Sequence, residues 1–410
     1  MKVALINPPS PYLENDAAYP PSGLLYVASG LQKLDHYVRI VDLAGTCDWK
    51  SLLRTTIEEN FDLFGITCVT PNFNIVSEIA DVLKECEPTT PIILGGVHPT
   101  ILSWDALRNI HCDALVRGEA ELIIENVMND LKNGELKQIY NGQIVPPNLI
   151  PKPARHLVDL HRYSPGGEKA TPIYTSRGCP FNCNFCSKIT GRTYRAIPLK
   201  QILEEIEEII SYGFKHIVFG DDNIGIQPQR LKKLLNSIKS YGITFRLNQD
   251  ARHIDDELLK LAHEAGCTEF SYGIESGSQR MLDLMNKQIT VEQNRSALKL
   301  TQKHGMVAKA YFIVNFPGET EETVNETLKF AKETMPDKWL LSSFAPLPGC
   351  DAFEYPERYG ITWMSKDWSD YYLVGKGGQF KPCFETKYLT FEKQIELHAK
   401  LYNGLKDTLG

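Results

Sequence analysis

Short apolar runs alternate with amphipathic stretches through the first third of the chain. The runs cover residues 3–6, 38–41, 63–68, 92–94 and 114–116, and each ends in residues that favour turns. Apolar strands separated by amphipathic helices are typical of strand–helix–strand units around a parallel sheet. The pattern therefore predicts a doubly wound α/β domain over residues 1–130, with ligands bound where the loops at the carboxyl ends of the strands converge.

The alternation stops over residues 131–170, which are rich in proline and glycine, and resumes beyond them. The predicted strands are 172–175, 216–219, 244–247, 269–272, 307–314 and 338–344, and the predicted helices are 199–212, 229–241, 255–265, 291–304 and 321–334. Six such strands predict a partial (β/α)6 barrel over residues 171–345, with its site at the carboxyl ends of the strands. Residues 131–170 are then a linker, and residues 346–410 a small C-terminal extension or cap without a clear period.

Composition and charge exclude several classes of partner. The net charge of −7 and the absence of any Lys/Arg tract argue against binding to nucleic acid or to an anionic membrane surface. No apolar stretch approaches the roughly 20 residues of a membrane span, and the apolar N-terminal run is too short for a signal peptide, so a cytoplasmic location is expected. In that setting the ten cysteines are better explained as thiols and metal ligands than as a disulfide framework.

Three cysteines lie within eight residues, directly after a predicted strand: Cys179, Cys183 and Cys186. Three thiolates can hold three irons of a 4Fe-4S cluster, and the fourth iron, without a protein thiolate, can then bind a substrate or cofactor. The alternative is a structural zinc site completed by Cys267 or His216. Zinc sites favour cysteine pairs separated by two residues, and the three-residue gap after Cys179 fits them less well.

This spacing, with Phe185 just before the last cysteine, resembles the signature of the radical S-adenosylmethionine (SAM) superfamily. The resemblance implies that the three cysteines bind a 4Fe-4S cluster, and that the reduced cluster cleaves SAM to a 5′-deoxyadenosyl radical. It also implies an external one-electron reductant of the flavodoxin or ferredoxin type. Segments at later strand ends match the loops with which the family contacts SAM, and they add these residues to Phe185 as SAM contacts: Asp221, Asp222, Glu275, Ser276 and Asn315.

Each of these SAM assignments also has a structural alternative. An aspartate pair or a serine at a strand end is often only a helix N-cap. Asn315 stands where relatives commonly carry a glycine. Arg252, after the third barrel strand, is a candidate for the SAM carboxylate, or an ordinary surface arginine.

A doubly wound domain followed by a cluster-bearing barrel resembles the cobalamin-binding branch of the superfamily. The resemblance implies a Rossmann-like cobalamin domain, in which the binding residues are expected to be Ser22, Thr70, Asn72, Gly95, Gly96, Val97, His98, Gly118 and Glu119. Glycine permits close backbone approach to a large flat ligand. The domain lacks an Asp-x-His-x-x-Gly loop, so a bound cobalamin should have no histidine lower ligand. The alternatives are that His98 is a loop histidine hydrogen-bonded to the backbone and, more broadly, that the sheet has lost its cofactor.

Together these features predict a cytoplasmic, oxygen-sensitive radical SAM enzyme that uses cobalamin on a small-molecule substrate. The expected reaction is methyl transfer to an unactivated carbon or phosphorus. The alternatives are a radical cyclisation, rearrangement or oxidation without net methyl transfer, and a non-catalytic cobalamin or metal sensor.

Overall fold

The chain forms two compact units in a computed structural model that describes residues 1–164, 167–187 and 189–410. The first unit comprises Met1–Gly167 and Asp367–Tyr371, and the second comprises Glu168–Lys366 and Tyr372–Gly410. Within the described residues, no helix combines the length and the apolar character needed to cross a membrane.

The first unit is a parallel sheet with helices on both faces. Its strands are β1 Lys2–Asn7, β2 Tyr37–Asp42, β3 Leu63–Thr67, β4 Ile92–Gly95, β5 Ala114–Arg117 and β6 Ile139–Asn141. Its helices are α1 Ser22–Gln32, α2 Trp49–Ile57, α3 Phe73–Cys86, α4 Val97–Ile101, α5 Ser103–Asn109 and α6 Ile124–Asn133. The strand order is β2-β1-β3-β4-β5-β6, and every pairing is parallel. The predicted doubly wound fold is confirmed.

Two hydrophobic cores cover the two faces of this sheet. Ala4 and Ile6 of β1 belong to the core that includes residues of α2 and α3, whereas Val3 and Leu5 belong to the core that includes residues of α1 and α6. Because both faces are buried, the middle positions of β1 are apolar on both sides of the sheet. This explains why the strands appear in the sequence as continuous apolar runs.

The predicted linker, residues 131–170, is built into the first unit for most of its length. Its β6 pairs with β5, the Ala154 N–H donates to the Leu25 carbonyl at 3.0 Å, and the Tyr163 hydroxyl donates to Asp42 at 2.5 Å. Irregular backbone must find partners for its polar groups, and this segment finds them on the sheet unit. The first unit therefore extends to Gly167 instead of ending near residue 130. Pro165 and Gly166 lie outside the described residues.

The second unit contains six parallel strands in the order β14-β13-β12-β11-β10-β7. They are β7 Thr171–Ile173, β10 His216–Phe219, β11 Thr244–Gln249, β12 Cys267–Glu275, β13 Val307–Val314 and β14 Lys338–Ser343. A short antiparallel hairpin of β8 Ser176–Arg177 and β9 Arg195–Ala196 follows β7. The helices are α7 Leu199–Ser211, α8 Pro228–Ile238, α9 Asp256–Glu264, α10 Gln279–Leu284, α11 Val291–Lys303 and α12 Glu321–Thr334. The predicted partial barrel is confirmed.

The expected cap, residues 346–410, is divided between the units. It adds α13 Asp351–Glu354, the antiparallel pair β15 Ile361–Met364 and β16 Phe384–Thr386, and α14 Phe391–Leu409 to the second unit. Residues Asp367–Tyr371 belong to the first unit instead. The sequence analysis did not anticipate this return of the chain.

Candidate active site

The three clustered cysteines lie on one loop that begins where β8 ends. Gly178 has a φ angle of +84°, and a Cβ there would lie 2.3 Å from the Thr193 carbonyl oxygen, so the entry to the loop requires glycine. The Cys179 N–H donates to the Gly191 carbonyl at 3.1 Å. All three cysteines are free, with Cys186 exposed and the other two partly buried. The β8–β9 hairpin thus presents three accessible thiols on one short loop.

The far side of this loop is attached to the segment that follows α10. The Asn184 N–H donates to the Met285 carbonyl at 2.9 Å, and the Asn184 side-chain amide donates to the Leu284 carbonyl at 3.0 Å. In return, the Asn286 amide donates to the Asn182 carbonyl at 2.8 Å. The cysteine loop is therefore held from both sides by hydrogen bonds to main-chain atoms.

The donor set fits an iron–sulfur cluster better than the zinc alternative. Burial raises the pKa of the Cys183 thiol to about 11, while the positive charges of Lys287 and Arg252 act in the opposite direction and favour the thiolate that binds metal. Cys267 begins β12 and His216 begins β10, at the amino ends of the strands, whereas the cysteine loop follows the carboxyl side. Among the described residues, no three His, Cys, Asp or Glu side chains are arranged to hold a single metal ion.

The aspartate pair after β10 supports the base of the cysteine loop. Asp221 is buried and accepts hydrogen bonds from the Thr175 N–H at 3.1 Å and from the Ser176 hydroxyl at 2.5 Å. Burial raises the pKa of Asp221, although these hydrogen bonds act against the rise. Asp222 is exposed and accepts from the Thr190 hydroxyl at 2.8 Å. Asp222 therefore keeps a carboxylate oxygen open to a ligand, and Asp221 fixes the strand before the cysteines.

Glu275 ends β12 with a φ angle of +62° and pairs with a buried lysine. The Lys287 ammonium lies 2.5 Å from Glu275 Oε1 and 5.7 Å from the centre of the Phe185 ring. Burial lowers the pKa of Lys287, but the charges of Glu275 and Cys183 outweigh it and hold that pKa above its ordinary value. Phe185, Lys287 and Glu275 are thus brought together beside the cysteine loop.

Arg252 braces the same region. Its guanidinium pairs with Asp250 at 2.5 Å, donates to the carbonyls of Lys287 and Gln288, and lies 3.6 Å from the centre of the Phe181 ring. Every guanidinium nitrogen has a protein partner. Arg252 therefore braces the site through three hydrogen bonds and its contact with the Phe181 ring, and it is not an ordinary surface arginine.

Ser276 and Asn315 are engaged with helices. The Ser276 hydroxyl lies 3.0 Å from the Thr327 hydroxyl of α12. Asn315 is fully buried, and its amide donates to Ser343 at 3.0 Å and to the Gln394 carbonyl of α14 at 3.2 Å. Asn315 has a φ angle of +69°, a conformation that glycine and asparagine tolerate best.

The predicted cobalamin residues lie on loops at the carboxyl ends of the first sheet. The strand order changes direction between β1 and β3, and the loops after these strands are joined by a hydrogen bond from Asn72 to Ser10 at 2.9 Å. A Cβ at Gly95 or Gly118 would meet no atom within 4 Å, so both face open space. At Gly96 a Cβ would lie 2.8 Å from the Cys68 carbonyl. These loops offer the open backbone that a flat cofactor needs.

The remaining residues of this set lie at the starts of helices or in hydrogen bonds. Ser22 begins α1 and Val97 begins α4, and the Glu119 carboxylate accepts from the Val145 N–H at 2.7 Å. The Thr70 hydroxyl lies 3.3 Å from His98 Nδ1. Thr70, like Asn72, is buried.

His98 is fully buried and bonded through both ring nitrogens. Burial lowers its pKa and so keeps the ring neutral at pH 7. Its Nε2 lies 3.3 Å from Asp105, which accepts a second hydrogen bond, from Trp368 Nε1, at 2.8 Å. A carboxylate only accepts, so Nε2 carries the proton and Nδ1 accepts from Thr70. In this arrangement both ring nitrogens of His98 are engaged. The expected backbone partners are wrong, because the ring bonds to the side chains of Thr70 and Asp105.

Both units match known family models. Residues 173–331 match the model of the Radical SAM superfamily, and residues 16–128 match the model of the B12 binding domain. An uncharacterised methyltransferase of Pyrococcus horikoshii is 31% identical over 98% of this chain and 92% of its own length. The chain belongs to the radical SAM superfamily.

Other proteins match this radical SAM protein over most of their own length. The bacteriochlorophyllide d C-8(2)-methyltransferase of Chlorobaculum tepidum is 30% identical over 83% of this chain and 78% of its own length. A solved structure of the radical SAM methyltransferase TsrM from Kitasatospora setae, with cobalamin and a 4Fe-4S cluster bound, covers 98% of this chain and 88% of its own, at 16% identity and a TM-score of 0.76. The protein is thus a radical SAM enzyme with a B12-binding domain, and its cofactors are a 4Fe-4S cluster, SAM and cobalamin.

Two features of this radical SAM protein were not predictable from its sequence patterns. Lys287 follows α10 in a loop, where a lysine is normally solvated, and nothing in the sequence alone indicated its burial. Trp368 was assigned to a cap, although its indole bonds to Asp105 in the first unit. Two asparagines in the cysteine segment and one in Met285-Asn286-Lys287 were a usable signal, since asparagine often bonds to nearby backbone.

Proposed function

We propose that this protein is a cobalamin-dependent radical SAM methyltransferase that methylates a small molecule at an unactivated carbon or phosphorus. The observation that supports it best is the presence, in one chain, of a braced three-thiol loop and a sheet unit that matches the B12 binding domain. Methyl transfer is supported by the Pyrococcus horikoshii relative, which is named as a methyltransferase and is covered over 92% of its length.

The proposal assigns the cluster and SAM to the cysteine-loop side of the second unit. Cys179, Cys183 and Cys186 would hold the cluster, and Asp222 and the Phe185 ring would offer an exposed carboxylate to the SAM ammonium and a flat face to its adenine. When bound, the cluster and SAM would supply a deoxyadenosyl radical, and cobalamin a methyl group. Asp221, Ser276 and Asn315 would act by fixing the strand ends, because their side chains are bonded to the scaffold.

Cobalamin is assigned to the carboxyl edge of the first sheet. The open backbone at Gly95 and Gly118 would admit the corrin ring. The other residues that we assign to the cobalamin site are Ser22, Asn72, Gly96, Val97 and Glu119. Thr70 and His98 would line the cobalamin site and hold each other in place through their hydrogen bond. The histidine would not bond to cobalt.

Anoxic reconstitution with iron, sulfide and hydroxocobalamin tests this proposal. The wild type is expected to hold about four irons and one cobalt per chain, to release 5′-deoxyadenosine from SAM on reduction, and to pass the deuterated methyl group of SAM to bound cobalamin. Cys183→Ala should lose SAM cleavage and retain cobalamin. Cys47→Ala, at an exposed cysteine outside the loop, should behave as the wild type.

Each contrary outcome has a distinct meaning. Folded protein without iron or labile sulfide, or SAM cleavage that survives in Cys183→Ala, would refute the cluster assignment. SAM cleavage without methyl transfer to cobalamin would favour a cyclisation, rearrangement or oxidation. Cobalamin binding with zinc and no cleavage would favour a sensor.

A further inference from the structure

A buried lysine and glutamate lie beside the cysteine loop. Lys287 has no role in the cluster assignment, and Glu275, which was expected to contact SAM, has its Oε1 paired with Lys287. Lys287 and Glu275 are 8% and 6% exposed, and their charged atoms are 2.5 Å apart. A buried ion pair is costly to desolvate, so its presence next to a proposed redox group calls for a reason beyond stability.

The backbone around Lys287 is shaped to point its side chain inward. Asn286 and Gln288, on either side of it, have φ angles of 51° and 55°, a region that costs a non-glycine residue roughly 1 kcal/mol or more. Strain of this kind persists where neighbouring contacts fix it. Here the fixing contacts are the Asn286 hydrogen bond to the cysteine loop and the Arg252 hydrogen bonds to the carbonyls of Lys287 and Gln288.

The strand that carries Glu275 leaves room for the pair at Gly273. A Cβ at Gly273 would lie 2.5 Å from Glu275 Oε1 and 2.8 Å from the Lys287 ammonium. The pair therefore occupies space that any side chain at position 273 would fill. Its ammonium lies 5.7 Å from the centre of the Phe185 ring, and Phe185 precedes Cys186.

We propose that the Lys287–Glu275 pair sets the charge beside Cys183, and thereby the reduction potential of the cluster, with Lys287 acting as a positioning residue. This inference rests on the proposed function, in which Cys179, Cys183 and Cys186 are the cluster ligands. Potentials of iron–sulfur clusters depend on net charge and hydrogen bonding around the sulfurs. Of the other charged groups near the loop, Arg252 and Asp250 pair with each other at 2.5 Å, and Asp222 accepts from Thr190. Removing one member of the Lys287–Glu275 pair therefore leaves one uncompensated charge.

The test is a dithionite titration of reconstituted holoprotein, monitored by electron paramagnetic resonance of the reduced cluster. Lys287→Met leaves the Glu275 carboxylate alone and should make reduction about tenfold less favourable, a shift of about 59 mV to more negative potential. Glu275→Gln leaves the ammonium alone and should shift the potential in the opposite direction. The double variant should return close to the wild type, and Lys287→Arg should keep the wild-type value. Lys299→Met, at an exposed lysine of α11, is the matched control.

The inference about the reduction potential can be tested even if one of the two single variants loses its cluster. If Lys287→Met fails to retain iron, Glu275→Gln carries the test, because it keeps the lysine and removes only a charge. Unchanged potentials in both, or shifts in the same direction, would overturn the inference. Wild-type protein that takes up no iron would instead refute the proposed function.

Discussion

Five non-glycine residues among those described in the second unit have backbone conformations that side chains rarely adopt, and four of them lie at the ends of barrel strands or beside Lys287. Glu275 and Asn315 directly end or follow barrel strands, with φ angles of 62° and 69°, and Asn286 and Gln288 flank Lys287. Such conformations cluster at functional sites, where surrounding contacts hold them. At this scale, the site is built as much by backbone geometry as by side-chain chemistry.

Substitutions at Asn315 separate the effect of the strained backbone on stability from the effect of the hydrogen bonds. Asn315→Gly loses both amide hydrogen bonds and relieves the backbone, whereas Asn315→Ala loses the bonds and keeps the strain. Both variants should lower the free energy of unfolding, by about 1–3 kcal/mol from the lost bonds, and alanine by about 1 kcal/mol more than glycine. Urea unfolding followed by tryptophan fluorescence measures this. Equal stability of the two variants would contradict a strained φ, and Asn325→Ala, at an exposed site on α12, controls for the lost amide.

The cysteine spacing alone predicts the chemistry of the loop, but it does not predict which strand-end residues face a ligand. Asp221, Ser276 and Asn315 fall at the expected ends of strands, yet each is buried and bonded to the scaffold. Whether such a side chain faces a ligand or the scaffold depends on the backbone dihedral angles at the strand end. Sequence patterns do not specify these angles. Asp222, one residue from Asp221, is exposed for the same reason.

At the scale of elements, the start of α12 contains an unusual carboxyl group. Thr320 caps the helix and accepts from the Thr323 N–H, while the Thr323 hydroxyl donates to Glu319. Burial raises the pKa of Glu319 to about 7, against the lowering effect of that hydrogen bond. Glu319 therefore gains a proton on folding at mildly acidic pH.

This shift predicts a pH dependence of stability. Between the unfolded pKa of about 4.5 and the folded value of about 7, the folded state binds the proton more tightly, so stability falls as pH rises through this window. The contribution lost is on the order of 3 kcal/mol. Glu319→Gln should lack this pH-dependent contribution. The melting temperature of the variant minus that of the wild type should therefore increase from pH 5 to pH 8. A constant difference between the two proteins would contradict the shift, and Glu322→Gln, exposed on the same helix, is the control.

The sequence predicts elements bounded by clear turn residues well and two-residue strands poorly. The strands at 216–219 and 307–314 and the helix at 321–334 have the predicted bounds, because each carries a strong apolar period between clear turn residues. The two-residue strands β8 and β9 are too short to carry any period. In contrast, α14 was missed although Leu397, Leu401 and Leu405 form a buried stripe at helical spacing, a signal that the sequence did contain.

At the scale of the whole molecule, the first unit is completed by residues from near the other end of the chain. Trp368 lies 5.2 Å from the His98 ring, which in turn lies 4.6 Å from Phe73. Its indole N–H bonds to Asp105, and Asp105 to His98. The loop assigned to cobalamin is thus fixed by a segment more than 260 residues away in sequence. Local patterns could not predict this contact, because nothing in the two segments marks them as neighbours.

Trp368→Phe tests this contact, since it keeps an aromatic ring and removes the donor to Asp105. A hydrogen bond to a charged group contributes about 1.5–3 kcal/mol, and its loss should loosen the segments that carry Thr70 and His98. Affinity for hydroxocobalamin, measured by absorbance titration, should fall roughly threefold to tenfold, with iron content unchanged. Trp363→Phe, at an exposed tryptophan of the second unit, should bind as the wild type. Equal affinity of both variants would show that the indole hydrogen bond is dispensable.

The five residues Asp367–Tyr371 also constrain how such a protein can be recombined. A single genetic crossover between the two units, at any point from 168 to 366, would join the wall around His98 from one parent to the tryptophan segment of another. The two stretches are therefore expected to be inherited together, and a chimera should regain tight packing around the imidazole when residues 367–371 are taken from the parent that supplies the sheet.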